Sequence, residues 1–243
     1  MGMDDSLKNA IFETGSTEPQ LAVTFLLNTS ESMRGEKISE LNKAMEEALD
    51  DVEETALERE VSLRLRVIEF NDEAKWICGT NEMNGLEHID WKPLAASGKA
   101  AAADALRLAA GLMSRKYLGT RQYRPVVIMI TDGESNDPAD TAAAVNELKE
   151  RLKSTKYPKA DKIIRIAFGV KGANQTELQK FASVGCFFED GSTEWEKVPL
   201  VFSTDKVWLL KYILERITVS NYSPDPGFDE DPVMVDLSED TWI

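Results

Sequence analysis

The pattern becomes readable at residues 21–27, LAVTFLL, where apolar side chains dominate and polar turn residues follow at once. A short segment of this kind predicts a strand buried on both faces of a parallel sheet. From Glu36 to about Leu57, apolar residues recur at Ile38, Leu41, Ala44, Met45, Ala48, Leu49 and Val52. That three- and four-residue spacing predicts a helix with one apolar stripe. Residues 61–70, VSLRLRVIEF, alternate and then turn fully apolar. Asn71-Asp72 makes a turn into 73–78, EAKWIC, which predicts a hairpin whose return arm lies at the sheet edge. Residues 79–98 read as irregular loop. The pattern then predicts a helix over 100–118, a strand over 125–131, and a helix opened by Asp137 or Pro138 that runs to about Lys156. A strand over 162–170, a helix over 175–182, a short strand over 186–189 and a helix over 205–217 complete it.

Strands alternating with helices predict an α/β fold: a doubly wound, mostly parallel central sheet with one antiparallel edge strand and helices on both faces. The expected organisation is an extension over 1–18, one domain over 19–218, and a tail over 219–243. The tail follows the last basic residue, Arg216, and gathers Asp225, Asp229, Glu230, Asp231, Asp236, Glu239 and Asp240 among three prolines.

Composition narrows the function classes. A net charge of −15 argues against nucleic acid and against an anionic membrane surface, and favours a protein partner with basic character. The start of the chain lacks a signal-peptide pattern, and no window reaches the ~18–20 apolar residues of a membrane span, so the expected location is cytoplasmic. Cys78 and Cys186 lie far apart in apolar segments and match no metal spacing, which predicts reduced core thiols. The acidic run of residues 46–60 reads as a solvated helix face.

In open α/β sheets the functional crevice lies beyond the carboxyl ends of the central strands. Two strand ends carry suitable residues here, Asn28-Thr29-Ser30-Glu31-Ser32 and Thr131-Asp132-Gly133-Glu134-Ser135-Asn136-Asp137. Side chains at 28, 30 and 32 can point from one turn towards one centre. Residues of the same types are also ordinary turn and helix-capping residues.

These stretches resemble the von Willebrand factor A (vWA) domains, in which a DxSxS strand end, a loop threonine and a later strand-end aspartate form a metal-ion-dependent adhesion site. The likeness runs over roughly residues 20–218 through "LLNTSESMRGEKISELNKAM", "VIEFNDEAKWI", "PLAASGKAAAADALRLA", "VVIMITDGESND" and "IAFGV". It is nearest to the intracellular bacterial TerY-like subgroup associated with tellurite resistance and stress operons. By that resemblance Ser30 and Ser32 match the two metal-ligating serines, and Asp132 matches the aspartate that holds a metal-bound water. Asn28 stands where the family has its first aspartate. Counting back from Leu106 places Ala100 at the threonine and Lys99 before it, or Lys99 at the threonine after a one-residue slip. Either register lacks the hydroxyl. With its formal charge reduced and the Lys99 ammonium expected near Asp132, the adhesion site reads as degenerate and metal-free, with no cofactor. The alternative is a working Mg2+ site on Ser30, Ser32 and Asp132, with Asn28 as a neutral ligand, that binds a partner carboxylate.

No enzyme is expected. A haloacid-dehalogenase-type centre needs aspartates two residues apart, but positions 28 and 30 are Asn and Ser. There is no G-x-x-x-x-G-K-[ST] or G-x-G-x-x-G loop. The single histidine, His88, sits in a loop, and Cys186 has no histidine to activate it. The resemblance implies a non-enzymatic protein–protein interaction module, a scaffold in a bacterial stress-response or phage-defence signalling assembly, with a protein kinase or phosphatase system among its partners. A second source of binding is the tail, where Phe228, Val233, Met234, Leu237, Trp242 and Ile243 interrupt the acids; it would dock on a partner or on its own domain, or be a kinase target.

Overall fold

The computed structural model describes residues 19–78, 91–113, 123–151, 163–188, 196–220 and 233–236. The 1–18 extension, His88, the predicted helix ends at 114–118 and 152–156, and the tail residues Phe228, Leu237, Trp242 and Ile243 lie outside them.

The alternating pattern resolves into strands β1 (Gln20–Asn28), β2 (Ser62–Phe70), β3 (Ala74–Cys78), β4 (Val126–Thr131), β5 (Ile164–Gly169) and β8 (Val201–Ser203). These form one sheet in the order β3-β2-β1-β4-β5-β8. All neighbours are parallel except β2 and β3, which pair as the predicted antiparallel edge hairpin. The helices are α1 (Glu36–Glu58), α2 (Ala102–Leu112), α3 (Pro138–Glu150), α4 (Gln175–Phe181) and α5 (Leu209–Ser220).

Alternation along β1 divides the core. Leu21, Val23, Phe25 and Leu27 pack with the stripes of α1 and α5, whereas Ala22 and Leu26 pack with α2, α3 and α4. The sheet is therefore covered on both faces, and the middle strands can be apolar on both sides. Local chemistry sets the helix ends. Asp137 caps α3 by accepting from Asp140 N–H, with Pro138 in the first turn, and Asn174 caps α4 by accepting from Glu177 N–H. α1 ends where Glu60 takes φ +52°.

Three strands were not expected. β8 is a three-residue edge strand, paired through Ala167↔Val201, and too short to show a period. β7 (Glu196–Pro199) and β9 (Val233–Asp236) flank β6 (Val184–Phe188) in a separate three-stranded sheet. β9 belongs to the segment read as a tail outside the domain, yet its backbone pairs in parallel with β6, Gly185↔Val233 through Phe188↔Asp236. Cys78 is a half-buried free thiol whose burial raises its pKa. Among the described residues no helix is long and apolar enough to cross a membrane.

Candidate functional site

Register brings the two polar strand ends together. Leu27 pairs with Ile130, so the next residue of β1, Asn28, comes level with Thr131, and Asp132 follows. All three side chains are buried, with Asn28 at 0% and Asp132 at 2% exposure. Burial at this depth obliges each polar atom to find a partner. The Asn28 amide donates from Nδ2 to Thr131 Oγ1 at 2.9 Å and to Asp132 Oδ1 at 3.1 Å, while its Oδ1 accepts from Ser30 N–H at 3.0 Å. An aspartate in that position would lack the donor. Asn28 thus acts as a hydrogen-bonded tie between two loops, in a place where two carboxylates would repel each other.

Asp132 collects three donors. Besides Asn28, Glu134 N–H donates to Oδ1 at 3.2 Å, and the ammonium of Lys37 donates to Oδ2 at 2.9 Å. Lys37 lies in the first turn of α1, and its side chain remains 28% exposed while that of Asp132 is 1% exposed. The sequence predicts the ammonium of Lys99 here. Lys99 is instead exposed, and its backbone N–H is tied to Asp72 Oδ1 at 3.0 Å. The available signal was position: Lys37 stands five residues after Ser32 at the start of the helix leaving the turn, and a first-turn side chain can reach back over the strand end.

Ser30 and Ser32 do converge, with their hydroxyls 3.1 Å apart. Ala100 is buried, and its carbonyl accepts from Asn136 N–H at 3.2 Å. Loop 91–101 is held in place by backbone bonds from Ser97 N–H to Thr29, from Glu31 N–H to Gly98 and from Ala101 N–H to Asn71, each 2.8 Å. Asn42 clamps it further, donating to Leu94 C=O and accepting from Leu94 N–H. Gly98, at φ +73°, permits the turn, since a Cβ there would lie 2.5 Å from Asp72 Oδ2. The structure therefore brings Asn28, Ser30, Ser32 and Asp132 together and adds Lys37, while Ala100 is buried in the loop before α2 and Lys99 is exposed. Of the tail residues singled out, only Val233 and Met234 are described, in the backbone of β9.

The loop after β4 is also fixed from below. Asp132 C=O accepts from Asn174 N–H at 2.8 Å, and Gly133, at φ +80°, passes so close that a Cβ would meet Asn174 C=O at 3.0 Å. A groove of about 440 Å³ runs from Thr131, Gly133 and Glu134 between α3 and α4 towards Lys149 and Phe181. Among the described residues, no group of three or more His, Cys, Asp or Glu side chains is gathered closely enough to hold a metal ion.

The von Willebrand factor type A domain family model matches residues 22–199. No curated protein matches the chain. Among solved structures, proximal thread matrix protein 1 from the mussel byssus superposes with a TM-score of 0.53 at 19% identity, over 83% of this chain and 48% of that one. A von Willebrand factor type A protein from Catenulispora acidiphila gives 0.54 at 16% identity, over 83% and 43%. The conserved hypothetical protein BatB from Bacteroides thetaiotaomicron gives 0.50 at 14% identity, over 83% of this chain and all of that one. At these identities the likeness is one of fold, and the chain spans less than half the length of the first two.

Proposed function

The chain belongs to the von Willebrand factor type A family, and from that premise we propose that it is a protein-binding module whose adhesion site works without a metal. Domains of this family are generally protein-interaction modules. The observation that carries the reading is the Lys37 ammonium, 2.9 Å from Asp132 Oδ2. It places a positive charge against the one carboxylate in the cluster.

The residues present do not suit a divalent cation. Magnesium asks for near-octahedral oxygen ligands, usually including carboxylate, with little tolerance for a neighbouring cation. Here Asp132, the acid at the centre of the cluster, is already neutralised, Asn28 Oδ1 is committed to a backbone N–H, and Ala100 brings no oxygen from its side chain. The paired serine hydroxyls keep the outline of the family site. A partner is then met at the rim, where the exposed Lys99 can receive a carboxylate and the exposed Glu31 and Glu134 side a basic group. The resemblance to TerY-like proteins supports a scaffolding role in a bacterial stress-response or phage-defence assembly that includes a kinase or phosphatase.

Thermal unfolding tests the metal-free reading directly. The midpoint should be the same in EDTA, in millimolar Mg2+ and in millimolar Mn2+. A bound ion at one hundred times its dissociation constant would add about 2.7 kcal/mol, a rise of several degrees. A rise of that size, abolished by Ser30→Ala, would establish the alternative, a Mg2+-dependent module with Asn28 as a neutral ligand.

A further inference from the structure

The small sheet lies at the opposite end of the molecule from Asn28 and Asp132. β6 leaves from beside Arg165, at the amino end of β5, through the bond from Ser183 N–H to Arg165 C=O. Each edge of β6 is paired, and the two partners differ. β7 returns antiparallel through Val184↔Pro199 to Phe187↔Glu196, and the chain runs on directly into β8 of the main sheet. β9 arrives from beyond α5, after twelve intervening residues at 221–232, and pairs in parallel over four positions.

Four residues form a minimal strand, and strand addition at an edge depends on main-chain bonds that any extended segment can offer. The β9 sequence, VMVD, is free of proline, whereas Pro224, Pro226 and Pro232 precede it; a strand that must donate its N–H groups needs such a window. Val184, at the head of β6, is 53% exposed and offers an apolar side chain at the start of this edge. β9 is tethered to α5 through residues 221–232, and a short connection gives an effective concentration on the order of millimolar even to a segment of modest intrinsic affinity.

We infer that the β9-facing edge of β6 is a strand-accepting site for a protein partner, and that β9 is its resident, exchangeable occupant. The partner it fits presents an extended, proline-free segment of apolar residues ending on an acid, in the manner of Val-Met-Val-Asp, and pairs parallel to β6. Main-chain bonds supply the affinity and the apolar side chains the selection. The site is independent of the metal-free reading, since it lies at the other end of the sheet.

The test uses the full chain and a fluorescent peptide with the sequence of residues 230–240. Val235→Pro and, separately, Met234→Pro remove β9 from the edge. Each variant should bind the peptide at least about tenfold more tightly than the unaltered chain does, and a peptide carrying Val235→Pro should bind neither. Equal binding to variant and unaltered chain, or no binding to a variant that keeps its thermal midpoint, would overturn the inference. Hydrogen exchange on the unaltered chain needs no variant. Amides of Gly185–Phe188 should exchange at least about tenfold faster than those of Val126–Thr131 and slow when millimolar peptide is added. Exchange as slow as in β4, or unmoved by peptide, would also overturn it. A dimer that forms with concentration and is dispersed by the peptide would make a second copy the occupant and overturn the assignment to a different protein.

Discussion

Lys37 and Arg107 each reach from a helix to an aspartate, in opposite surroundings. Lys37 meets Asp132 at a strand end where the carboxylate is 1% exposed and has two further donors. Arg107, in α2, meets Asp140 and Glu147 of α3 in the open, with side-chain exposures of 37%, 41% and 52%. The Arg107 fork is the better-shaped pair, holding both oxygens of Asp140. Its hydrogen bond with Asp140 raises the arginine pKa and lowers that of the aspartate. Yet water competes at Arg107 and is largely excluded at Asp132. The difference teaches that accessibility, more than geometry, decides what breaking a pair costs.

The largest effect should come from Lys37→Ala. It leaves Asp132 charged and buried with only Asn28 and Glu134 N–H for support, and should cost about 2–4 kcal/mol in urea unfolding. Adding Asp132→Asn to that variant should restore part of the loss, because an amide needs no counter-charge. If the double variant were no more stable than the single one, the charge would not be the cause.

Asp51 gives an intermediate case. It lies on α1 facing α5, near Lys211, which bridges Glu54 and Glu58 at 3.0 and 3.6 Å. Burial raises its pKa to about 6, Lys211 opposes the rise, and Glu54, Glu47 and Asp50 add to it. Its Oδ2 has no hydrogen-bond partner among the described residues. The sign follows from linkage. Between about 6 and the ordinary 3.8 the folded chain holds a proton that the unfolded chain has released, so this group adds stability as pH falls through that window. Asp51→Asn should therefore raise the midpoint at pH 7 and shrink the gain on acidification relative to the unaltered chain, as read from midpoints at pH 7, 6, 5 and 4.

Arg107→Ala should change least. Its urea midpoint should stay within reproducibility of the unaltered chain, and any small loss should vanish in roughly 1 M salt, where the screening length is about 3 Å. A loss matching that of Lys37→Ala would break the comparison outright.

Much of the main sheet was legible because its inner strands are buried on both faces and read as apolar runs, as in VVIMI of β4. The convergence of Asn28, Ser30, Ser32 and Asp132 was legible for a related reason: each stands at, or just past, the end of a central strand. Lys37 was not, because its polar place at the start of an amphipathic helix fits a solvated face equally well. Lys99 was misplaced because loop 91–101 takes its path from distant partners, Asn42, Asn71 and Asp72, which no local pattern encodes. β7, β8 and β9 escaped because strands of three or four residues carry too few positions to show a period.

The chain-borne ammonium at Asp132 has one further consequence. An ion taken from solution has a dissociation constant, and a chelator or a starved cell can withdraw it. The charge on residue 37 is synthesised with the protein, one per molecule, and cannot be titrated away by the cell's cation supply. If the site works without a metal, as proposed, the strand-end cluster is in that sense constitutive. Conditional behaviour in this molecule would then come from somewhere that contacts can be exchanged.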